Sequence, residues 1–207
     1  MYADLRFLVV CVSIMATPAY AENPSKIDAP DIKVGDRWVY NVIDLYKNET
    51  TGTTTVQVVA KSSDEVRAMV TTRSGTREDV FDGEWNVRVR NGRTFTPFYP
   101  SYAFPLEVGK TWTAKVTYPN RTRDGENRDE TTGTVVGWES ITVPAGTFNA
   151  LKIRHDGRWQ NVRTLKTSSG ISTTTIWYVP EVRRSVKYEH DDGFNKEGNE
   201  LAEYKLN

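Results

Sequence analysis

The chain has 207 residues, with 27 Lys and Arg against 27 Asp and Glu, so its formal net charge at neutral pH is zero. Apolar residues make up 38% and aromatic residues 11%, which argues against a disordered chain. The bases are interleaved with acids, which argues against nucleic-acid binding, and no sustained heptad supports a coiled coil.

The first residues read as an export signal. Leu5 to Ala16 form an apolar run too short to span a bilayer, followed by Thr17-Pro18-Ala19-Tyr20-Ala21, an A-x-A site. Cleavage is expected between Ala21 and Glu22, giving residues 1–21 as a signal peptide and a periplasmic or secreted mature chain. Cys11 is the only cysteine and lies inside the run, so the mature chain is expected to carry neither thiol nor lipid anchor. No later run reaches membrane-spanning length.

From there the chain reads as antiparallel strands. Trp38, Tyr40 and Val42 share one face, and Thr54 to Val59 is rich in β-branched residues. Val66, Ala68 and Val70 alternate with Arg67, Met69 and Thr71, as do Trp85, Val87 and Val89 with Asn86, Arg88 and Arg90. Trp112, Ala114, Val116 and Tyr118 follow, then Leu151, Ile153 and His155, then Val186, Tyr188 and His190. Asp82-Gly83, Asn91-Gly92, Asp156-Gly157 and Asp192-Gly193 are hairpin signals. About eleven strands are expected, and no helix of ten residues. The predicted fold is all-β, a curved antiparallel sheet forming a barrel or half-open sandwich.

Two segments match. Ile32-Lys33-Val34-Gly35-Asp36-Arg37-Trp38 parallels Leu106-Glu107-Val108-Gly109-Lys110-Thr111-Trp112, and Glu49-Thr50-Thr51-Gly52-Thr53 parallels Glu130-Thr131-Thr132-Gly133-Thr134. The expectation is two related meanders, residues 22–104 and 105–207, sharing one fold. The alternative is one local solution used twice: a glycine for a sharp entry turn, then a tryptophan anchoring the strand.

The most distinctive stretch is Val143-Pro144-Ala145-Gly146-Thr147-Phe148, followed by Trp177-Tyr178-Val179-Pro180. With Pro105 to Trp112, these motifs resemble a broad group of secreted bacterial all-β proteins of unknown function. The resemblance covers Pro105 to Glu189 and implies the fold, with no chemistry attached. A glycine often follows the W-Y-x-P motif in that group, whereas Arg183-Arg184 stands here.

Signals for catalysis are sparse. There is no G-x-S-x-G elbow, and His155 and His190 are expected at hairpin rims beside acids. Asp191 to Glu200 fails the EF-hand pattern because Gly193 occupies a ligand position. No metal or cofactor is expected. Thr94 to Pro105 carries Phe95, Phe98, Tyr99, Tyr102 and Phe104 among three prolines and reads as a loop, either plugging the barrel or forming a lip over a pocket.

The expectation is therefore a non-enzymatic envelope protein binding an apolar small molecule or another envelope component. Trp38, Tyr40, Trp112 and the aromatic residues Phe95, Phe98, Tyr99, Tyr102 and Phe104 would line its site. The analogy is to bacterial half-barrel lipoprotein carriers and rests on fold alone. An accessory subunit of an envelope complex is the second expectation, and a hydrolase the third.

Overall fold

A computed structural model describes residues 23–207. The signal-peptide and Cys11 expectations fall outside them. Twelve strands form a closed antiparallel barrel in which each strand pairs with its sequence neighbours, and β1 (Arg37–Asp44) closes on β12 (Lys196–Lys205). Between them run β2 (Glu49–Lys61), β3 (Val66–Thr72), β4 (Gly75–Phe81), β5 (Val87–Arg90), β6 (Arg93–Tyr99) and β7 (Thr111–Pro119). Then come β8 (Gly125–Val143), β9 (Gly146–Arg163), β10 (Thr167–Val179) and β11 (Arg184–Asp191). The one helical element among the described residues is a 3-10 turn, Pro180–Val182. Closure leaves no free sheet edge, the usual hazard of an antiparallel sheet.

The outer face carries cross-strand charge pairs: Arg67 with Glu78, Lys115 with Glu130, Lys187 with Glu200, and Arg37 with Glu203. That is the chemistry of a hydrated surface rather than of a lipid-facing apolar band. No helix among the described residues is long and apolar enough to cross a membrane.

The two ends of the barrel differ. At one end lie the β2–β3, β4–β5, β6–β7, β8–β9 and β10–β11 connections, together with the segment preceding β1. Ile27 bridges Leu106 through two backbone hydrogen bonds, tying that segment to the β6–β7 connection. Ile32, Trp38, Leu106, Leu151, Val182 and Leu201 are fully buried in the core of this closed end. The β1–β2, β3–β4, β5–β6, β7–β8, β9–β10 and β11–β12 turns form the open end.

The repeated Val-Gly-x-x-Trp segments adopt one geometry. Gly35 and Gly109 have φ of +93° and +87°, the left-handed region that favours glycine. Their N–H groups donate to Val58 and Val135, whose own N–H groups donate back to the carbonyls of Asp36 and Lys110. Ile32 and Leu106 are buried, while Val34 and Val108 are exposed. The second sequence match does not fall into register. Trp38 pairs with Val56 and Trp112 with Gly133, so Thr53 lies opposite Asn41 whereas Thr134 lies opposite Thr111.

Three local expectations are corrected. Asp156-Gly157 is not a hairpin but lies within β9, where a side chain on Gly157 would press on the Glu130 carbonyl and Ser172. His155 therefore sits mid-strand and buried rather than at a rim. The first half of Thr94 to Pro105 is strand β6 rather than loop. Pro97, lacking an N–H, leaves β6 and β7 with a single register pair, Thr96 with Thr117. The remainder is part of the closed-end connection, where Tyr102, Phe104 and Tyr178 pack with ring centres 5.4–5.6 Å apart.

Arg183 makes the tight turn that a glycine would make, at φ 59°. Its side chain explains the residue: Nη1 donates to both oxygens of the fully buried Asp36, at 2.9 and 3.1 Å, and to the carbonyl of Asn207. The pair holds the start and end of the barrel to the β10–β11 connection, at a left-handed conformational cost of about 1–2 kcal/mol.

Candidate functional site in the barrel lumen

The lumen encloses a cavity of about 880 Å³, within the ~300–1,000 Å³ range of small-molecule sites. Its floor is aromatic. Trp38 and Trp85 pack edge to face with centres 5.3 Å apart, and Phe81 packs likewise on Trp85 at 5.1 Å. The two indole N–H groups donate to the carbonyls of Val182 and Arg183, both at 2.9 Å, anchoring the chain just before Arg184. The Arg184 guanidinium then lies 4.2 Å from the Trp85 ring centre, 5.5 Å from Trp38 and 5.6 Å from Phe81. Its Nη1 is shut off from solvent and has no hydrogen-bond partner among the described residues. Cation–π attraction of about 2 kcal/mol in such a dry setting offsets part of the desolvation cost without neutralising the charge.

Arg90 is the second guanidinium. It keeps accessible surface, but that surface faces the lumen. Burial pushes its pKa below the usual arginine range, and Arg184 is close enough to repel it. Neither arginine makes a salt bridge among the described residues. Asp79, a carboxylate close enough to Arg90 to act on it, is occupied: it accepts from Arg77 at 3.0 and 3.3 Å and from the Asn91 N–H at 3.0 Å.

Tyrosines form the wall. Tyr40 donates its hydroxyl to the Ser185 carbonyl at 2.9 Å, and burial raises its pKa to about 12. Burial raises Tyr99 equally, and it raises Tyr118 and Tyr188 further still, so all four phenols are neutral hydrogen-bonding groups at physiological pH. Tyr118 donates to Asp129 at 3.0 Å and stacks on Phe95 at 4.5 Å. Burial holds the Asp129 carboxyl above its ordinary range, and its other oxygen has no partner.

His155 faces the lumen from β9. Its Nε2 lies 3.1 Å from the Ser101 carbonyl, which can only accept, so this nitrogen carries the proton and Nδ1 is left as an unpartnered acceptor. Burial lowers its pKa to about 4, so the ring is neutral. Trp112 lies edge-on to His155, 5.4 Å away, and covers Gly133, where any side chain would strike the indole. Nearer the mouth, Trp159 covers Gly170 in the same way, and Asn161 keeps an unpartnered Oδ1. Among the described residues, four buried side-chain polar atoms lack a protein partner. All four, on Asp129, His155, Asn161 and Arg184, belong to residues lining this cavity.

Of the residues singled out in the sequence, Tyr40, Phe95, Tyr99 and Tyr102 line the lumen. Trp38 lies beneath the floor, Phe104 packs in the closed end, Trp112 stands behind His155, and Phe98 does not reach the cavity. The lining also differs from the apolar pocket expected, because arginines, acids, amides and phenols share it with the aromatic rings. Arg90 was missed for a definite reason. Alternation from Trp85 places it on the outer face, but register shifts between Val87 and Val89, and that bulge turns Arg90 inward. Tyr188 and His190 were legible as inward residues by alternation, and Arg184 shares their parity. No group of three or more His, Cys, Asp or Glu among the described residues is placed to hold a metal ion.

No family model matches the chain, and no curated protein does. Among solved structures it is similar to a candidate lipoprotein of Parabacteroides distasonis, at 20% identity and a TM-score of 0.58, covering 88% of this chain and all of that one. It is also similar to a candidate exported protein of Bacteroides fragilis with a YmcC-like fold, at 16% identity and a TM-score of 0.57, covering 87% of this chain and 99% of that one. At these identities the likeness is one of fold.

Proposed function

We propose that this chain is a non-enzymatic binding protein of the bacterial cell envelope that holds a small organic ligand in its barrel lumen. One observation carries the reading: every unpartnered buried polar atom among the described residues lies on a residue lining a single cavity of ligand size. Buried polar groups are otherwise almost always paired, and their concentration in one cavity is what a binding site leaves when its partners come from outside the chain. The export-like first residues support the compartment. So do the descriptions of the two similar structures, one a lipoprotein and the other an exported protein.

The ionisable groups support binding over catalysis. The phenols and His155 are held neutral by burial, and Asp79 is locked by Arg77 and Asn91. One hydroxyl–imidazole pair lines the lumen, Thr174 Oγ1 and His190 Nδ1 at 2.8 Å, but no third group among the described residues hydrogen-bonds that ring to orient it as a base.

A second reading, an accessory subunit docking through the open rim, is favoured by three exposed apolar side chains on its hairpins. Leu165 is 97% exposed, Phe194 72% and Tyr46 65%.

Native mass spectrometry of protein purified gently from its compartment tests the proposal, with a Thr54→Trp variant that fills the lumen from β2. The expected result is a retained small molecule on the wild type and its loss from the folded variant. A molecule retained equally by both would place the site elsewhere. A protein partner in its stead would put the second reading first.

A further inference from the structure

We infer that the lumen is built for an acidic saccharide, a ring bearing hydroxyls and a carboxylate, with the carboxylate set against Arg90 and Arg184. This deepens the reading of the lumen as a binding site and rests on it.

Three independent features of the lining converge on that chemistry. The first is charge. Arg90 and Arg184 line the cavity, neither in a salt bridge among the described residues, while Arg93 also lines it over the Tyr118 ring and near Asp129; Arg184 is faced by three aromatic rings, with the Tyr40 hydroxyl beside it. Two cations brought close in a dry setting destabilise each other, and an anion between them relieves both the repulsion and the missing counter-charge. A carboxylate also matches the planar fork of a guanidinium, which favours it over a ligand carrying only neutral polar groups.

The second feature is the type of the unpartnered atoms. Asp129 Oδ1, His155 Nδ1 and Asn161 Oδ1 are all acceptors. Acceptors call for donors. A ligand with an apolar tail would leave them unpaired, whereas hydroxyl groups supply a donor to each. These atoms come from β8 and β9, while the arginines come from β5 and β11, so donor-seeking and anion-seeking groups reach the lumen from different parts of the wall.

The third is the aromatic surface. Trp159, lying over Gly170, and Tyr99 bring apolar ring surface beside polar edges into the lumen, whereas the Tyr118 ring is taken up by Phe95 and Arg93. Such faces accept the C–H side of a sugar ring while its hydroxyls remain in plane with the acceptors. A fatty acid would use the arginines and the rings but not the three acceptors. A neutral sugar would use the acceptors and the rings but not the arginines.

The test is calorimetric titration of wild-type protein with short oligogalacturonate and oligoglucuronate, a matched neutral gluco-oligosaccharide and a medium-chain fatty acid. Arg90→Gln and Asn161→Leu variants are titrated beside it. Arg90 makes no salt bridge among the described residues, so its replacement is expected to leave the fold intact. The expected result is binding of an acidic oligosaccharide that weakens with added salt, with the neutral analogue at least about tenfold weaker. Arg90→Gln should bring the acidic ligand down to the neutral one, whereas Asn161→Leu should weaken both by a similar factor. Preference for the neutral sugar or the fatty acid would overturn the acidic-saccharide assignment while leaving the lumen as a binding site. No binding of any probe, with a Thr54→Trp variant that loses no retained molecule in native mass spectrometry, would overturn both.

Discussion

The closed end and the lumen are made of the same residue types, yet their polar groups are treated in opposite ways. At the closed end no buried side-chain polar atom among the described residues is left without a partner. Asp36, fully buried, accepts from Arg183, from the Lys33 N–H and from the Asn207 N–H. Trp38 and Trp85 spend their indole N–H groups on the Val182 and Arg183 carbonyls. A few residues away in the lumen, Arg184 has rings for neighbours, and Asp129, His155 and Asn161 each keep a lone acceptor. A barrel whose lumen served only to fill itself would need apolar side chains of matched volume there. The contrast separates what holds the fold from what awaits a partner, and substitutions on either side of the boundary should differ in kind.

The largest effect should come from the closed end. Trp38→Ala removes a side chain with no exposed surface, its edge-to-face contact with Trp85 and the hydrogen bond to Val182. A loss of about 3–5 kcal/mol is expected from urea denaturation. Filling the lumen with Thr54→Trp should cost far less, because the added indole enters open space. Equal losses would erase the distinction between a packed end and a binding lumen.

How much of this was legible in the sequence can be stated residue by residue. Alternation and β-branched content revealed the all-β class, and Val-Gly-x-x-Trp marked two turns that share hydrogen-bond geometry. Tyr40, on a strand, and Phe95, Tyr99 and Tyr102, read as part of a loop, were named among the site-lining aromatics, and these four line the lumen. What alternation could not reveal is the change of face at a bulge, which placed Arg90 outside when it is inside. Nor could it separate a residue that fills a core from one that borders a cavity, because Trp38 and Tyr40 alternate identically and only the latter reaches the lumen. Trp85 was read as the start of an alternating strand, whereas it sits in the β4–β5 connection at φ 66° with its ring on Arg184. That role depends on the β10–β11 turn, far away in sequence.

The lumen should also answer to acid, and by a smaller amount. Burial lowers the His155 pKa to about 4, against an ordinary value of 6.5. The unfolded chain therefore binds a proton at this residue over a pH range in which the folded chain does not. The stability it contributes is fully present above about pH 6.5 and is lost as pH falls towards 4. The loss is on the order of 3 kcal/mol by linkage. Urea denaturation of wild type and His155→Gln at neutral pH and near pH 4 measures it as the difference between two differences, which cancels the carboxylates common to both. The variant should show the flatter dependence. Identical slopes would mean that the ring is solvated from the lumen, and that the desolvated setting inferred for Arg184 does not extend to this wall.

The smallest effect on stability belongs at the rim, and it sharpens the comparison by adding a third region. Leu165 sits at the β9–β10 turn, 97% exposed, so Leu165→Ser removes almost no burial and should shift stability by no more than about 0.5 kcal/mol. The same substitution also distinguishes the two proposed functions. If the lumen alone does the work, ligand retention in native mass spectrometry should be unchanged, since Leu165 does not line the cavity. If the rim docks onto a partner, the variant should lose a co-purifying protein while keeping its stability and its ligand. A hydrophobic residue of this size held in water at a hairpin tip is stable either way, so stability cannot choose between them. The choice rests on whether a bound protein disappears with the leucine while the small molecule stays.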